Sequence, residues 1–306
     1  MHGDIQSEKS KELTMHKLSC VVPVTRMAGE LGNLESWVRE SIKFDLEIII
    51  VHDIQDFQTG IELQEIIKTV NSKNIKLIKC YVGSPGLARN LGLEVARGDW
   101  IAFWDSDDLP QLTAVMESID EYPNAEVIVG RYKVLETSSN VESSLPRDKL
   151  SYWGIAENPG IWRMIFRGEI LRKIKFKSIR MAEDQVFISQ LNLENKKLVF
   201  TGRILYTYLT GRPTQLTKMP IDVNDLCIAF EQLLISHRRF EKNSDTISLL
   251  LATRVFLTIV KRFRLSGVLT LRKSLKHQEK KISKSEMHSL LSNTRKIIIG
   301  KFINEN

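Results

Sequence analysis

Short apolar runs alternate with stretches whose apolar residues recur at helical spacing, and this alternation sets the frame of the chain. Leu18–Val24, Leu46–Val51, Ile75–Val82 and the run from Trp100 to Trp104 each read as a strand. The run from Trp100 to Trp104 is apolar at every position, as a strand of a parallel sheet covered on both faces is, and Leu46–Val51 likewise reads as buried. Pro23 fits a strand end rather than its middle. Between the runs lie a helix with Leu34, Val38 and Ile42 on one face and a helix through Ile61 and Ile66 to Val70. A third helix, Leu87 to Ala96, is opened by Gly83-Ser84-Pro85-Gly86 and closed by Arg97-Gly98-Asp99. The order is that of an α/β protein.

The second half continues less regularly. A helix is expected from Leu112 to Tyr122, a strand from Ala125 to Val134 and a polar mobile loop from Glu136 to Lys149. The pattern then predicts a helix over Ile161–Leu171 and another starting near Met181 with Ile188 and Leu191 turned inward. Two short strands, Leu198 to Phe200 and Leu205 to Leu209, lead to Thr210-Gly211-Arg212-Pro213-Thr214. From Asp222 onward the pattern is helical only. Its most apolar stretch, Ile247 to Val260, is short and interrupted by Arg254, so it is not expected to span a bilayer.

Chemistry enters where the run Trp100-Ile101-Ala102-Phe103-Trp104 stops in Asp105-Ser106-Asp107-Asp108. An open α/β sheet has its ligand crevice where its strands end. Two carboxylates at i and i+2, bent by the following turn, can face one small volume, and hard oxygen ligands suit Mg²⁺ or Mn²⁺. The competing reading is an ordinary turn, with Asp108 or Thr113 capping the next helix.

Composition adds bounds. The 306 residues can hold one large domain, or one domain and an appendage. Cys20, Cys80 and Cys227 are few and far apart, which argues for reduced thiols in a cytoplasmic protein and against a zinc site. Residues 1–17 are polar and read as a flexible leader. The net charge of +7 is uneven: residues 222–306 hold 16 Lys and Arg against 8 Asp and Glu, and the first 221 hold 28 against 29. Basic residues from Lys261 to Lys284 lie beside Phe256, Leu257, Ile259, Val260, Phe263 and Leu269, a mixture that suits the surface of an anionic bilayer or a packed helical surface.

In this order the pieces resemble the family 2 glycosyltransferases of bacterial cell-surface polysaccharide synthesis. The resemblance runs from Leu18 to about Thr217 and is carried by Gly86-Leu87-Ala88-Arg89-Asn90-Leu91-Gly92, Asp105-Ser106-Asp107-Asp108, Ile161-Trp162 and Glu183-Asp184-Gln185. It implies a GT-A (Rossmann-like) fold, with a mixed, mainly parallel sheet flanked by helices over residues 18–221 and a basic α-helical extension over 222–306. It further implies an inverting transfer of sugar from a nucleoside-diphosphate sugar, assisted by Mg²⁺ or Mn²⁺, to a hydroxyl of a glycan or lipid-linked acceptor.

On that resemblance Asp107 and Asp105 are the expected metal ligands, with Asp105 also near the ribose or sugar. Pro23, Thr25, Asp53, Arg89, Asp105 and Arg212 are the expected donor contacts. Asp53 would take the base, Arg89 a phosphate or the base region, and Arg212 would close over the diphosphate. Asp184 is the expected general base, with Glu183 the alternate. The chain departs from the family where Pro23-Val24-Thr25-Arg26 and Val51-His52-Asp53-Ile54-Gln55 replace the usual nucleoside-binding segments, which leaves the nucleoside open. Trp162-Arg163-Met164 departs from the usual acceptor-side triplet, so an unusual acceptor is expected. The expected location is the cytoplasm, at or near the inner face of the membrane. Two other functions compete: a phosphatase of the haloacid dehalogenase type, and a non-enzymatic basic binding module. No nucleic-acid motif supports the last, and no nucleic-acid partner is expected.

Overall fold

The computed structural model describes residues 16–137, 141–143, 150–211, 221–240, 247–277 and 282–305. The predicted leader, His16 and Lys17 apart, and Arg212 lie outside them. The chain opens with β1 (Leu18–Val24), α1 (Gly32–Glu40), β2 (Leu46–Asp53), α2 (Phe57–Val70), β3 (Ile75–Cys80), α3 (Pro85–Val95) and β4 (Trp100–Phe103). Then come β5 (Leu109–Pro110), α4 (Leu112–Glu121), β6 (Val127–Glu136) and β7 (Val141–Ser143). The remainder is α5 (Tyr152–Glu157), β8 (Met164–Arg167), α6 (Gly168–Leu171), α7 (Glu183–Gln190), β9 (Leu198–Thr210), α8 (Val223–Arg239), α9 (Ile247–His277) and α10 (Lys284–Glu305).

One sheet runs in the order β3-β2-β1-β4-β8-β6-β9-β5, with β7 beside β6. The pairs β3-β2, β2-β1, β1-β4 and β6-β9 are parallel, whereas β8 lies antiparallel between β4 and β6. Every residue of β4 is buried, as its unbroken apolar character requires, and so is every residue of β2, including Glu47, whose carboxylate accepts from Ser19 Oγ and the Arg97 N–H. Because β1, β2, β3 and β4 point the same way, Thr25, Asp53, Val82 and Asp105 all emerge at one edge of the sheet.

Several expectations need correction. The segment Ile161–Leu171 is not a helix: a short 3-10 turn at Ile161–Arg163 leads into β8 and then the four-residue α6. Ile165 and Phe166 are buried between two strands distant in sequence, a long-range pairing that local periodicity does not register. Ile42 falls beyond α1 and is 59% exposed; Trp37 fills the buried face with Leu34 and Val38. The two expected strands after Leu198 are one strand, β9, whose pairing with β6 is irregular near Arg131. Neither Asp108 nor Thr113 caps α4, which starts from Gln111 without a side-chain cap.

The C-terminal helices continue the core. Phe230 and Leu233 of α8 and Leu251 and Val255 of α9 are buried in one apolar cluster with Phe103, Phe166 and Phe187. No described helix is long and apolar enough to cross a membrane. The thiols of Cys20, Cys80 and Cys227 are free.

Gly98 shows how tightly the sheet is joined, since a Cβ there would lie 2.4 Å from Ser19 N and 2.7 Å from Leu18 C, whereas one at Gly202 would meet nothing within 4 Å. Gly98→Ala is expected to cost about 1–3 kcal/mol in urea unfolding, and Gly202→Ala to stay within about 0.5 kcal/mol of wild type. Equal stabilities would contradict this packing.

Candidate active site

The site is built where α3 docks between the sheet edge and the segment leading into α7. Gly86 permits the approach: a Cβ there would lie 2.9 Å from the Lys177 carbonyl, 3.0 Å from Phe176 Cβ and 3.4 Å from Glu183 Cγ. One turn on, Asn90 binds the backbone of Phe176 at both ends, its Nδ2 donating to the carbonyl (3.0 Å) and its Oδ1 accepting from the N–H (2.8 Å). Asn90 was not among the expected site residues, and nothing in its spacing gives its partner. Phe176 in turn stacks on Phe187 with ring centroids 4.0 Å apart.

Arg89 lies between these anchors. One guanidinium nitrogen donates to Asp105 Oδ1 at 2.7 Å and the other to Glu183 Oε1 at 3.0 Å, with the Phe176 ring 5.6 Å beneath its centre. The Arg89 side chain is only 7% exposed. Arg89, Asp105 and Glu183, three residues picked out in the sequence, are therefore in direct contact. The hand of Arg89 is occupied by protein carboxylates, not held open toward the crevice.

Glu183 and Asp184 begin α7, where a helix N-terminus favours negative charge. The preceding Ala182 is buried in the left-handed region (φ 65°), an uncommon and mildly strained setting for alanine that fixes how the two carboxylates leave the backbone. Burial, then Asp184, pushes the Glu183 carboxyl up to about 7 against the opposing pull of Arg89. Burial likewise pushes Asp184 up to about 6, opposed by the Gln185 N–H, Arg89 and Arg254. Asp184 Oδ1 accepts from that N–H at 2.7 Å. Arg254, noted in the sequence only as an interruption, comes from α9, and its guanidinium donates to the carbonyls of Ala156 (3.3 Å) and Glu157 at the end of α5.

The acids after β4 divide by environment. Asp108 is wholly buried, accepting from Tyr206 Oη (3.0 Å) and the Leu209 N–H (2.7 Å), and burial beside Asp105 and Asp107 raises its pKa well above the ordinary value. The same Tyr206 hydroxyl accepts from the Asp105 N–H at 3.0 Å, so Asp108 holds the turn in shape. Asp105 is 30% exposed, and Asp107, half-buried, accepts at its carbonyl from Asn33. Among the described residues no group of three or more His, Cys, Asp or Glu is placed to hold a metal. Asp105 and Asp107 supply two hard oxygen donors that fit a Mg²⁺- or Mn²⁺-type cation only if a ligand completes its shell.

At the ends of β1 and β2, Thr25 Oγ1 donates to the Asp53 carbonyl (3.2 Å), and Pro23 lies in register with Val51. The Asp53 carboxylate accepts from the N–H groups of Val82 (3.0 Å) and Gly83 (2.8 Å), tying the loop after β3 to this edge. On the other side Trp162 stacks on Tyr206 (4.8 Å) and Tyr208 (5.6 Å). Arg163 points inward and is 1% exposed, donating to the carbonyls of Gly154 (2.9 Å) and Asn158 (2.8 Å). The departure from the family triplet at Arg163 is thus a buried brace on α5. A cavity of about 480 Å³, lined by Arg97, Asp99, Arg167 and Glu169 among others, opens at the opposite edge, where β4 begins.

With the geometry in place, comparison with known proteins is decisive. The model of glycosyl transferase family 2 matches residues 19–183. The chain belongs to that family. It is 27% identical over 195 residues to poly(ribitol-phosphate) beta-N-acetylglucosaminyltransferase TarP of Staphylococcus aureus (strain N315), covering 60% of this chain and 59% of that protein. It is 27% identical over 209 residues to a poly(ribitol-phosphate) beta-glucosyltransferase of Bacillus spizizenii (strain ATCC 23059 / NRRL B-14472 / W23), covering 64% of this chain and 32% of that one. The crystal structure of S. aureus TarS 1-349 in complex with UDP-GlcNAc has the same fold, with a TM-score of 0.63 and 19% identity over 90% of this chain and 79% of that one. The expected GT-A architecture, a mainly parallel sheet flanked by helices with a helical C-terminal extension, is the observed one.

The raised carboxyls have a consequence for stability. Unfolded Glu and Asp titrate near 4.3 and 3.9, whereas in the fold Glu183 and Asp184 hold protons up to about 7 and about 6. Their stabilising contribution is full below about pH 4 and is lost as pH rises through the folded values. Glu183→Gln is expected to flatten the fall in urea-unfolding free energy between about pH 4 and pH 8 by on the order of 1–3 kcal/mol. An unchanged pH slope would contradict this.

Proposed function

We propose that this chain transfers a glycosyl unit from a nucleoside-diphosphate sugar to a hydroxyl of a cell-surface polymer or its lipid-linked precursor. The observation that carries the reading is the buried Arg89 bridge, which ties the acids at the end of β4 to the carboxylates opening α7. That link supports a site in which holding the donor and deprotonating the acceptor share one framework.

Asp184 is the general base. Glu183 is engaged by Arg89, whereas Asp184 makes no side-chain ion pair among the described residues and has one oxygen without a hydrogen-bond partner there. Its carboxyl, pushed up to about 6, is largely ionised at neutral pH and basic enough to take a proton from an attacking hydroxyl. A single carboxylate base on the acceptor side supports one in-line displacement with inversion at the anomeric carbon.

Asp107 and the second oxygen of Asp105 would hold a divalent cation together with the donor diphosphate, and when bound it would act as a Lewis acid on the charge that develops there. Asp53, Thr25 and Pro23 form the base end of the donor site. Arg89 acts on the donor through Asp105, whose carboxylate it orients, and Arg212 remains a proposed diphosphate contact. The Trp162–Tyr206–Tyr208 stack gives the acceptor side an aromatic wall. The UDP-GlcNAc complex of TarS and the poly(ribitol-phosphate) acceptors named for the relatives favour a uridine donor and a phosphate-bearing polymer as the first substrates to test. The reaction would take place on the cytoplasmic side of the membrane. The phosphatase reading is not favoured, because the glycosyl transferase family 2 model spans this same turn after β4.

Asp184→Asn is expected to lower kcat by about 10²–10⁴-fold with donor binding kept, and wild-type kcat/KM should fall on the acid side of about pH 6. A loss of less than about tenfold would remove Asp184 as base. In a thermal-shift panel of nucleoside diphosphates and their sugars, Mn²⁺-dependent stabilisation by the uridine compounds should vanish in Asp107→Ala. Stabilisation that persists unchanged in that variant would remove Asp107 as a ligand.

A further inference from the structure

Helix α9 carries Arg254, Lys261, Arg262, Arg264, Arg272, Lys273 and Lys276 and no Asp or Glu in its 31 residues. Its first half is core, with Leu251 and Ile259 fully buried. Of the two readings open for this stretch, a bilayer surface or a packed helical surface, Ile259 follows the packed one, whereas Val260 is 37% exposed. At Arg264 the helix breaks (φ 49°, ψ −134°), and beyond the break the pattern inverts. Gly267 and Leu271 face the protein, whereas Leu265 is 70% and Leu269 47% exposed. Positions 265, 269, 272 and 276 recur at helical spacing, so two leucines and two cations form one outward stripe. Lys261, Arg262, Arg264 and Lys273 are exposed beside it. Among the described residues none of these six exposed cations lies in an ion pair.

A face made for water intersperses charges of both signs, and like charges at i, i+4, as at Arg272 and Lys276, repel. We propose that the face of α9 after Arg264 seats the protein on an anionic lipid bilayer, with Leu265 and Leu269 entering the headgroup boundary and the surrounding Lys and Arg meeting lipid phosphates. Charge complementarity selects an anionic partner, and the exposed leucines select a bilayer over a soluble polyanion, which would pair the cations and leave the leucines in water. The same helix reaches the active site: Arg254, beside α5 and near Asp184, is ten residues before the break, about 15 Å of helix. Seating α9 therefore also fixes how far the site stands from the membrane.

The test is co-sedimentation of the full chain with phosphatidylcholine vesicles, with and without phosphatidylglycerol. It does not depend on the transferase reading, because no turnover is measured. Wild type is expected to pellet with the anionic vesicles only, less so as salt rises. Leu265→Asp with Leu269→Asp, and separately Arg272→Glu with Lys276→Glu, should each weaken binding by about tenfold or more, with unfolding temperatures near wild type because these side chains are on the surface. Binding equal to wild type in both variants would overturn the proposal. So would wild type that ignores anionic vesicles, whether it binds polyphosphate instead, with the leucine variant binding just as well, or self-associates through the stripe in sedimentation equilibrium.

Discussion

The buried guanidinium of Arg89 between two carboxylates is the interaction on which the rest of this site depends. Asp105 belongs to the sheet and Glu183 to the helical layer, and no backbone hydrogen bond joins them. With Arg89 in place, each carboxylate has a charged partner in surroundings where an unpaired charge is costly. Without it, two acids would face each other across a desolvated gap, a loss of about 3–5 kcal/mol for breaking such a buried arrangement. The neighbouring contacts serve the same junction: Gly86 lets the backbones close, and Asn90 fastens Phe176 as a strand partner would.

From this junction the site extends in two directions. At the end of β4, the turn is held from beneath by Asp108 and Tyr206, which leaves Asp105 and Asp107 as the acids at its surface. At the other side, α7 is backed by α8 and α9, whose buried residues join the same apolar cluster as Phe187. The helical extension is thus continuous with the sheet's core, and Arg254 carries its influence to Asp184.

Much of this was legible in the chain. Strands buried on both faces announce themselves as largely apolar runs, so β1, β2 and β4 were read closely, as was α3 from Pro85 at its start. The acids of the candidate site stood out because they stop such a run or open a helix. What the sequence could not convey was partnership. Arg89 reads as a ligand contact or a surface cation until Asp105 and Glu183 are seen against it. Asp108 looks like a third acid of the turn until Tyr206 and Leu209, about a hundred residues on, are found holding it. β8 was misread for the same reason, since it is a strand only because β4 and β6 flank it. The division of α9 into a packed half and an exposed half was not legible, because its break at Arg264 carries no glycine or proline to mark it.

The most direct test of the central claim is a double-mutant cycle on nucleoside diphosphate release from UDP-GlcNAc. It compares wild type, Arg89→Met, Glu183→Gln and the double variant. If the bridge makes the two halves one unit, each single variant loses most of the rate and the double variant loses little more, far less than the product of the two. Losses that multiply would show that Arg89 and Glu183 act independently, and would contradict the account.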